Sequence, residues 1–307
     1  MAHTVSDLSL KDEAAWAHGL GVAQITGPGL FYCLRESEAW LEQVLAKTLQ
    51  DQVRIEVGSK LQLRVVDATV VNGPGAKGTE WRAHVSIDPG TGGFRAVELT
   101  DTHGGEGYGR HRVMAGELMV GDRAYATARG LMAVQSAGAF ALARMNPHTI
   151  RLCDAQRNRI SLHEKEGEVP QIGGVEFNVL VPLPPDNSSR SHKSWPLRRA
   201  KAWISARAVA GRTRLGEVIS LLTTLPVEQA NPCEFMQIYR LRWQIELLFK
   251  RLKYQFHLDT LPSRQGPTAR SRMLARFLAA ALAQELVQPA GPLSPWGYQL
   301  RPPRLHT

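Results

Sequence analysis

Residues 61–71 read LQLRVVDATVV, and this stretch decides the class of fold. It is rich in β-branched residues and largely apolar, which predicts a buried β-strand. A loop, NGPGAKG, follows at residues 72–78. The segments WRAHVSID (81–88) and FRAVELTD (94–101) then alternate on either side of a PGTGG turn, which predicts a β-hairpin. Three strands therefore come first.

Beyond the hairpin, strands alternate with a helix. GELMVGD (116–122) predicts a strand, RAYATARGLMAVQSAG (123–138) a helix, and AFALARM (139–145) a fifth strand. Three strands followed by a strand, a helix and a strand indicate a mixed α/β sheet with helices on its faces.

The segment before the first strand differs from the sheet. Residues 1–60 are predicted to be largely helical, with EAAWAHGLG (13–21) and ESEAWLEQVLAKTL (36–49) as the clearest helices. Gly27, Pro28 and Gly29 are predicted to break them apart.

Residues 148–214 change character again. TIRLCDAQRNRISL (149–162) and GGVEFNVLVPLP (173–184) predict a small β unit, which a basic stretch follows. The remaining predicted elements are a strand at 217–226, helices at about 232–254 and 268–287, and an irregular tail at 288–307.

Composition and charge favour a globular protein that binds a polyanion. Hydrophobic residues make up 43% of the 307 residues, the net charge is +9 and the pI is about 9.7. A basic balance favours nucleic acid as a partner. The absence of a long apolar stretch and of an apolar signal core leads us to expect a cytoplasmic protein. Three scattered cysteines without a CxxC pair predict neither a zinc site nor a disulfide framework.

The positive charge is concentrated between Arg190 and Arg214. This basic run contains no acidic residue. A solvated linker is one interpretation. A segment that follows a phosphate backbone is favoured, because counterion release rewards such a cluster directly. Its eight cations are Arg190, Lys193, Arg198, Arg199, Lys201, Arg207, Arg212 and Arg214.

Two aspartates occupy positions at which a ligand-binding role competes with a structural one. Asp67 lies inside an apolar strand, where an unpaired charge is costly, so either a metal ion or a strand-end capping role must compensate. Asp122 follows LMVG at the carboxyl end of a predicted strand, where α/β proteins bind ligands. Capping of the next helix is the alternative for Asp122.

The predicted helix YRLRWQIELLFKRLK (239–253) places one acid among cations. At about 100° per residue, Tyr239, Arg242, Glu246 and Lys253 fall within an arc of roughly 60°, beside an apolar stripe. Ordinary charge pairing on a surface helix does not explain a lone acid in this setting. A carboxylate that holds a metal beside cations that hold phosphates does explain it. The stripe consists of Ile238, Leu241, Ile245, Leu248 and Leu252.

The spacing Y-x2-R-x3-E-x6-K resembles the signature of bacterial insertion-sequence DDE transposases of the IS-four type. Three further segments, VVDATVVNGPGAKGTEWRAH, VELTDTHGGE and GDRAYATARGL, resemble the surroundings of that family's first two catalytic aspartates. The resemblance covers roughly residues 60–285.

The resemblance implies an RNase H-like core at 61–147 and 215–287, a β-rich basic insertion at 148–214, a helical segment at 1–60 and an irregular tail at 288–307. It implies a cytoplasmic DNA transposase that cleaves and transfers strands, acting as a homodimer on transposon ends and target DNA. Two Mg²⁺ or Mn²⁺ ions would activate water or a 3′-hydroxyl and stabilise the leaving oxygen.

The resemblance also implies roles for individual side chains. Asp67, Asp122 and Glu246 would be the catalytic and metal-binding acids. Arg242, Lys253 and Tyr239 would contact phosphates near the cut. Trp243 would stack on a distorted base, with helix packing as the alternative. The cations Arg198, Arg199 and Lys201 of the basic run are expected to bind the DNA backbone.

The two ends of the chain depart from the family pattern. Only 66 residues precede Asp67, no clear helix-turn-helix occurs among them, and the tail after Val287 is short, so we expect both ends to be shortened. A non-catalytic remnant that binds DNA or dimerises with an intact partner is therefore the alternative function, and a nuclease without strand transfer is a third. For His103 and Glu106 a turn between strands is favoured, and a supporting role beside the metal ligands is the alternative.

Overall fold

The computed structural model of the protein describes residues 8–50, 56–57, 61–73, 75, 80–145, 150–161, 167, 169–170, 174–185, 195–212, 216–259 and 266–287. The helices are α1 (Leu10–Gly19), α2 (Gly27–Glu36), α3 (Glu38–Gln50), α4 (Ala128–Ser136), α5 (Pro232–Arg240), α6 (Trp243–Phe256) and α7 (Gly266–Val287). The strands are β1 (Glu56–Val57), β2 (Leu61–Val71), β3 (Trp81–Ile87), β4 (Phe94–Asp101), β5 (Glu117–Gly121), β6 (Phe140–Arg144), β7 (Leu152–Cys153), β8 (Arg159–Ile160), β9 (Gly174–Leu183), β10 (Ala202–Arg212) and β11 (Val218–Thr223). Of the helices described, none combines the length and the apolar character needed to cross a bilayer.

The chain forms two compact units, and strand β2 contributes residues to each. The first unit is built from residues within 1–54, 68–105 and 244–300. The second unit is built from residues within 55–67 and 106–243. The predicted boundaries at residues 61, 148, 215 and 288 remain predictions.

In the first unit, helices α3 and α7 pack against the hairpin formed by β3 and β4. Trp81 pairs with Asp101 across the antiparallel hairpin, as the sequence predicts. The ring of Phe94 packs edge-on against Phe277 of α7, with centroids 5.9 Å apart. Arg270 of α7 donates a hydrogen bond to the carbonyl of Leu99 and forms ion pairs with two glutamates of α3.

In the second unit, the strands form a mixed sheet. Their order is β2-β5-β6-β11-β10-β9-β7-β8. The pairs β2–β5 and β5–β6 are parallel, and β6–β11, β11–β10 and β10–β9 are antiparallel. Strands β7–β10, which lie within the predicted β-rich insertion, therefore continue the sheet that begins with β2.

Helices pack against both faces of this sheet, α4 on one and α5 on the other. The side chains of β10 alternate between these two faces. Ile204 and Ala206 point into a buried core with Leu131 of α4. Arg207, which lies between Ala206 and the next core residue, points to the other face. There its guanidinium lies 4.8 Å from the ring centroid of Phe235 in α5.

The prediction that residues 27–29 break the helices is wrong. Helix α2 begins at Gly27, and the side chain of Thr26 caps it by accepting a hydrogen bond from the amide of Gly29. Pro28 lies in the first turn, where a proline costs no intrahelical hydrogen bond. The three residues therefore start a helix.

Candidate active site

Asp67 and Asp122 occupy equivalent positions on neighbouring parallel strands. Val65 of β2 is in register with Val120 of β5, and each aspartate lies two residues further on. Because side chains repeat every second residue and neighbouring strands lie about 4.8 Å apart, the two carboxylates leave the same face of the sheet side by side. The sequence predicted that Asp67 lies within a strand and Asp122 at a strand end, and both positions are confirmed.

Strand β6 places a cation beside the two aspartates. Gly121 of β5 is in register with Ala143 of β6, so Arg144 lies level with Asp122. The sequence analysis missed Arg144. The available signal was its position at the carboxyl end of a strand that follows a strand–helix connection, where functional groups collect.

The turn after β5 holds Asp122 in place. The amide of Ala124 donates a hydrogen bond of 2.8 Å to the Asp122 carboxylate. Thr127, not Asp122, is the N-cap of α4, because its hydroxyl accepts from the amide of Gly130. The structural alternative for Asp122, capping of the helix, is therefore wrong.

Gly121 allows two tyrosines to pack against the strand end. A Cβ atom added to Gly121 would lie 2.7 Å from Cβ of Tyr125 and 3.0 Å from the hydroxyl of Tyr108. Both tyrosines are fully buried, and Tyr108 donates hydrogen bonds to the carbonyls of Met119 and Leu142. A side chain at position 121 would displace this packing directly before Asp122.

Several carboxylates affect the pKa of the Tyr125 phenol. Burial raises the pKa of Tyr125 well above its ordinary value, and the charges of Asp67, Glu106 and Asp122 raise it further. Glu106, which the sequence analysis interpreted as a turn residue, therefore acts on the same buried phenol as the two aspartates. Tyr125 itself lay within the predicted helix and gave no signal of this role.

Arg242 and Tyr239 lie close to the aspartates. The guanidinium of Arg242 is 3.6 Å from the Asp67 carboxylate, and both side chains are mostly buried. The same guanidinium lies 5.7 Å from the ring centroid of Tyr239. Burial raises the pKa of Tyr239, nearby Arg242 and Arg144 lower it, and Asp122 raises it. Tyr239, Arg242, Asp67 and Asp122 thus belong to one electrostatic neighbourhood.

The continuous helix predicted for about residues 232–254 is wrong. It is divided into α5, which ends at Arg240, and α6, which begins at Trp243. The amides of Leu241 and Arg242 bond to carbonyls three residues back, which tightens the chain and ends the regular α-helical repeat. Tyr239, Arg242, Glu246 and Lys253 therefore do not share one continuous helical face, as had been predicted.

The later members of the signature lie on α6. Glu246 is in its first turn and Lys253 in its last, and both are partly exposed. Trp243 is half exposed. Ile245, Leu248 and Leu252 of the predicted apolar stripe are buried. Within the ranges that the structure describes, no three His, Cys, Asp or Glu side chains form a ready-made metal site.

The cations of the basic run differ in their exposure to solvent. Arg198, Arg199 and Lys201 are exposed, as a role on DNA requires. Arg207 is buried, forms a 2.9 Å ion pair with Glu176 and donates to the carbonyls of Leu225, Pro226 and Ala230. The prediction that the whole run faces DNA is therefore wrong at Arg207, because that cation ties the chain before α5 to the sheet. Residues 190–194, 213 and 214 of the run lie outside the described residues.

His103, the other turn residue that the sequence analysis considered, is fully exposed. Its ring lies 3.5 Å from Asp101 in the turn after β4, which agrees with the turn interpretation.

Comparison with known proteins identifies the family. A family model described as the transposase DDE domain matches residues 58–282. The putative transposase InsL of insertion sequence element IS186A from Escherichia coli K12 is 30% identical over 313 residues, covering 94% of this chain and 84% of that protein. The transposase of insertion sequence element IS421 from Escherichia coli is 30% identical, with 92% and 81% covered.

The fold also has a solved counterpart. The cryo-EM structure of the piggyBac transposase synaptic complex with hairpin DNA aligns with a TM-score of 0.50 and 8% identity, covering 94% of this chain and 65% of that one. At this identity the likeness concerns the fold alone, and it agrees with the predicted RNase H-like mixed sheet. The chain belongs to the DDE transposase family and is accordingly an enzyme of DNA transposition.

Proposed function

We propose that Asp67, Asp122 and Glu246 bind two divalent cations, Mg²⁺ or Mn²⁺, with which the protein cleaves DNA and joins the ends of an insertion element to a target. Membership of the DDE family implies a divalent metal in general. The observation that supports the assignment of Asp67 and Asp122 is the register of the two parallel strands on which they lie.

The donor chemistry of this pair fits a hard cation. Carboxylate oxygens are the ligands that Mg²⁺ and Mn²⁺ prefer, and two acids on adjacent strand positions repel one another unless cations offset them. Arg242, 3.6 Å from Asp67, offsets part of that charge. Bound divalent cations supply Lewis acidity for in-line displacement at a phosphodiester.

The protein's own side chains then hold the DNA. Arg242 and Arg144 present guanidinium groups beside the two aspartates, and a guanidinium can donate two parallel hydrogen bonds to one phosphate. Tyr239 stays protonated because burial raises its pKa, so its hydroxyl can donate a hydrogen bond to a phosphate oxygen. These groups fix the phosphodiester in line with the attacking hydroxyl, and such positioning is a large part of catalysis.

Glu246, Lys253 and Trp243 are assigned by the signature spacing. Glu246 supplies the third carboxylate, Lys253 contacts a phosphate, and Trp243 offers its exposed ring to an unstacked base. The assignment is independent of the broken helix, because it depends on residue identity and order in a chain 30% identical to named transposases.

The partner is double-stranded DNA at the element's ends and at the target site, bound by a homodimer. Exposed Arg198, Arg199 and Lys201 extend the contact along the phosphate backbone. Because the substrate is chromosomal DNA, the protein acts in the cytoplasm.

A cleavage assay tests this function. The purified protein is incubated with DNA from either flank of its own gene, with Mg²⁺, Mn²⁺ or EDTA. We expect strand cleavage and joining with either metal and none with EDTA. Binding without cleavage under all three conditions would instead establish a non-catalytic remnant, and cleavage without joining would establish a nuclease.

A further inference from the structure

A small cavity lies beside the turn that carries Asp122. Its volume is about 200 Å³, and its lining includes Arg123, Thr127, Arg151, Val181 and Trp195. All of these residues belong to the second unit. Small-molecule sites typically measure roughly 300–1,000 Å³, so this cavity suits one chemical group and not a whole nucleotide.

The polar groups of the cavity are donors and cations. Arg123 and Arg151 both line it, and no lining residue is acidic. Helix α4 begins at the cavity with Thr127 as its N-cap and has no acid in its first turn. The positive end of the helix dipole therefore adds to the two guanidinium charges.

A buried donor in the cavity has no acceptor. Trp195 is 8% exposed, and its indole Nε1–H meets no hydrogen-bond acceptor in the described part of the chain. Arg151 holds the ring in place, with its guanidinium carbon 4.6 Å from the ring centroid and a 2.7 Å hydrogen bond to the Trp195 carbonyl. Orphaned buried N–H groups are rare in native proteins, so an indole fixed in this way indicates that an acceptor binds from outside.

The charge on Arg151 also favours an anion. Burial and the neighbouring charge of Arg159 both lower the pKa of Arg151. A negative group in the cavity would offset both effects.

We propose that this cavity binds one phosphate group of the DNA backbone, through Arg123, Arg151, the Trp195 indole and the amino end of α4. The inference rests on the proposed function, because it gives the DNA substrate a further contact. Arg123 directly follows Asp122 in the chain, so the contact anchors the backbone next to the catalytic carboxylate.

Two variants with a matched control test the proposal. Arg123→Ala removes an exposed cation of the cavity, and Trp195→Phe removes the indole donor but keeps an aromatic ring. Arg129→Ala is the control, because Arg129 is an exposed arginine in the first turn of α4 that does not line the cavity. Affinity for duplex DNA from the flank of the gene is measured against salt in EDTA, where no cleavage occurs.

Arg123→Ala is expected to reduce the slope of log affinity against log salt by about 0.9, the value for one phosphate contact. Trp195→Phe is expected to weaken binding about fivefold at an unchanged slope, because it removes a hydrogen bond and not a charge. Arg129→Ala should change neither quantity. Equal slopes for Arg123→Ala and Arg129→Ala would overturn the proposal, and because Arg123 is exposed, this comparison holds even if Trp195→Phe fails to fold.

A binding test with inorganic phosphate distinguishes a site for the DNA backbone from a site for free anions. At constant ionic strength, phosphate is expected to raise the thermal midpoint of the wild-type protein and not that of Trp195→Phe. If phosphate stabilises the wild type while Arg123→Ala binds DNA normally, the cavity serves a free anion and the DNA assignment is wrong. Cleavage by the wild-type protein in Mg²⁺ is scored separately, so its absence would count against the transposase mechanism and leave the result for the cavity intact.

Discussion

The guanidinium of Arg242 lies 3.6 Å from the carboxylate of Asp67, so a residue expected to hold DNA is paired with one expected to hold metal. The two residues are 175 positions apart in the chain and belong to the same compact unit. Under the proposed roles we expect metal binding and phosphate binding to be coupled, because a cation held by Asp67 would repel Arg242 and leave its guanidinium available to a phosphate.

This coupling predicts a measurable interaction energy. A double-mutant cycle of Asp67→Asn and Arg242→Ala, scored by the free energy of unfolding in EDTA, should give a coupling of about 1 kcal/mol. Saturating Mn²⁺ should reduce it, because the metal replaces the guanidinium as partner of Asp67. A coupling that is equal with and without Mn²⁺ would show that Asp67 does not bind the metal.

Glu246→Ala should abolish cleavage and leave DNA binding largely intact. The change removes a proposed metal ligand and also removes repulsion towards phosphate. Cleavage and affinity are measured on the same duplex, with the exposed acid Glu228 replaced in Glu228→Ala as the control. Parallel loss of binding and cleavage in a folded Glu246→Ala protein would show that the assignment is wrong.

Gly121→Ala should destabilise the protein by about 1–3 kcal/mol, the usual cost of overpacking a core. The added methyl group would meet Tyr125 at 2.7 Å, and Tyr125 is buried on all sides. Denaturant unfolding measures the loss. Gly109→Ala is the matched control, because a Cβ atom there meets nothing within 4 Å. Equal stability of the two variants would mean that the tyrosine packing tolerates displacement.

Tyr125 should make the protein sensitive to alkali. Its pKa in the folded state is raised above the ordinary value of 10.0, so the unfolded chain loses the phenolic proton more readily than the folded one. The stabilisation is therefore complete below about pH 10 and declines as the pH rises beyond it. Thermal midpoints between pH 8 and pH 11 should fall less for Tyr125→Phe than for the wild type. Tyr254→Phe, at an exposed position, should behave like the wild type.

The basic run should separate into DNA-binding and structural cations. Replacement of Arg198, Arg199 and Lys201 with alanine should weaken binding equally on matched and unrelated duplexes and lower the salt slope by about 0.9 for each phosphate that is no longer neutralised. Arg207→Ala should lower the free energy of unfolding by about 3 kcal/mol or more, because it leaves Glu176 and three backbone carbonyls without their hydrogen-bond donor. An unchanged slope in the triple variant would identify its three cations as part of a solvated linker.

The strands and the positions of Asp67 and Asp122 on them were predictable because each depends on local pattern. Strand β2, the hairpin and the position of Asp122 after an apolar strand follow from side-chain alternation and strand-end chemistry. The break after Arg240 was not predictable, because the apolar stripe continues through it and only backbone hydrogen bonds reveal it. Arg207 was misassigned because a charged residue in a strand looks the same in sequence whether its side chain faces solvent or is buried against other parts of the chain.

The position of β11 has a consequence for synthesis on the ribosome. Strand β6 pairs on one side with β5, made shortly before it, and on the other with β11, which follows β7–β10 in the chain. Until β11 has been synthesised, one edge of β6 has no strand partner. Such an exposed strand edge can pair with other nascent chains. Recombinant protein should therefore be recovered in higher soluble yield when expression is cooled or a chaperone that shields nascent chains is co-expressed.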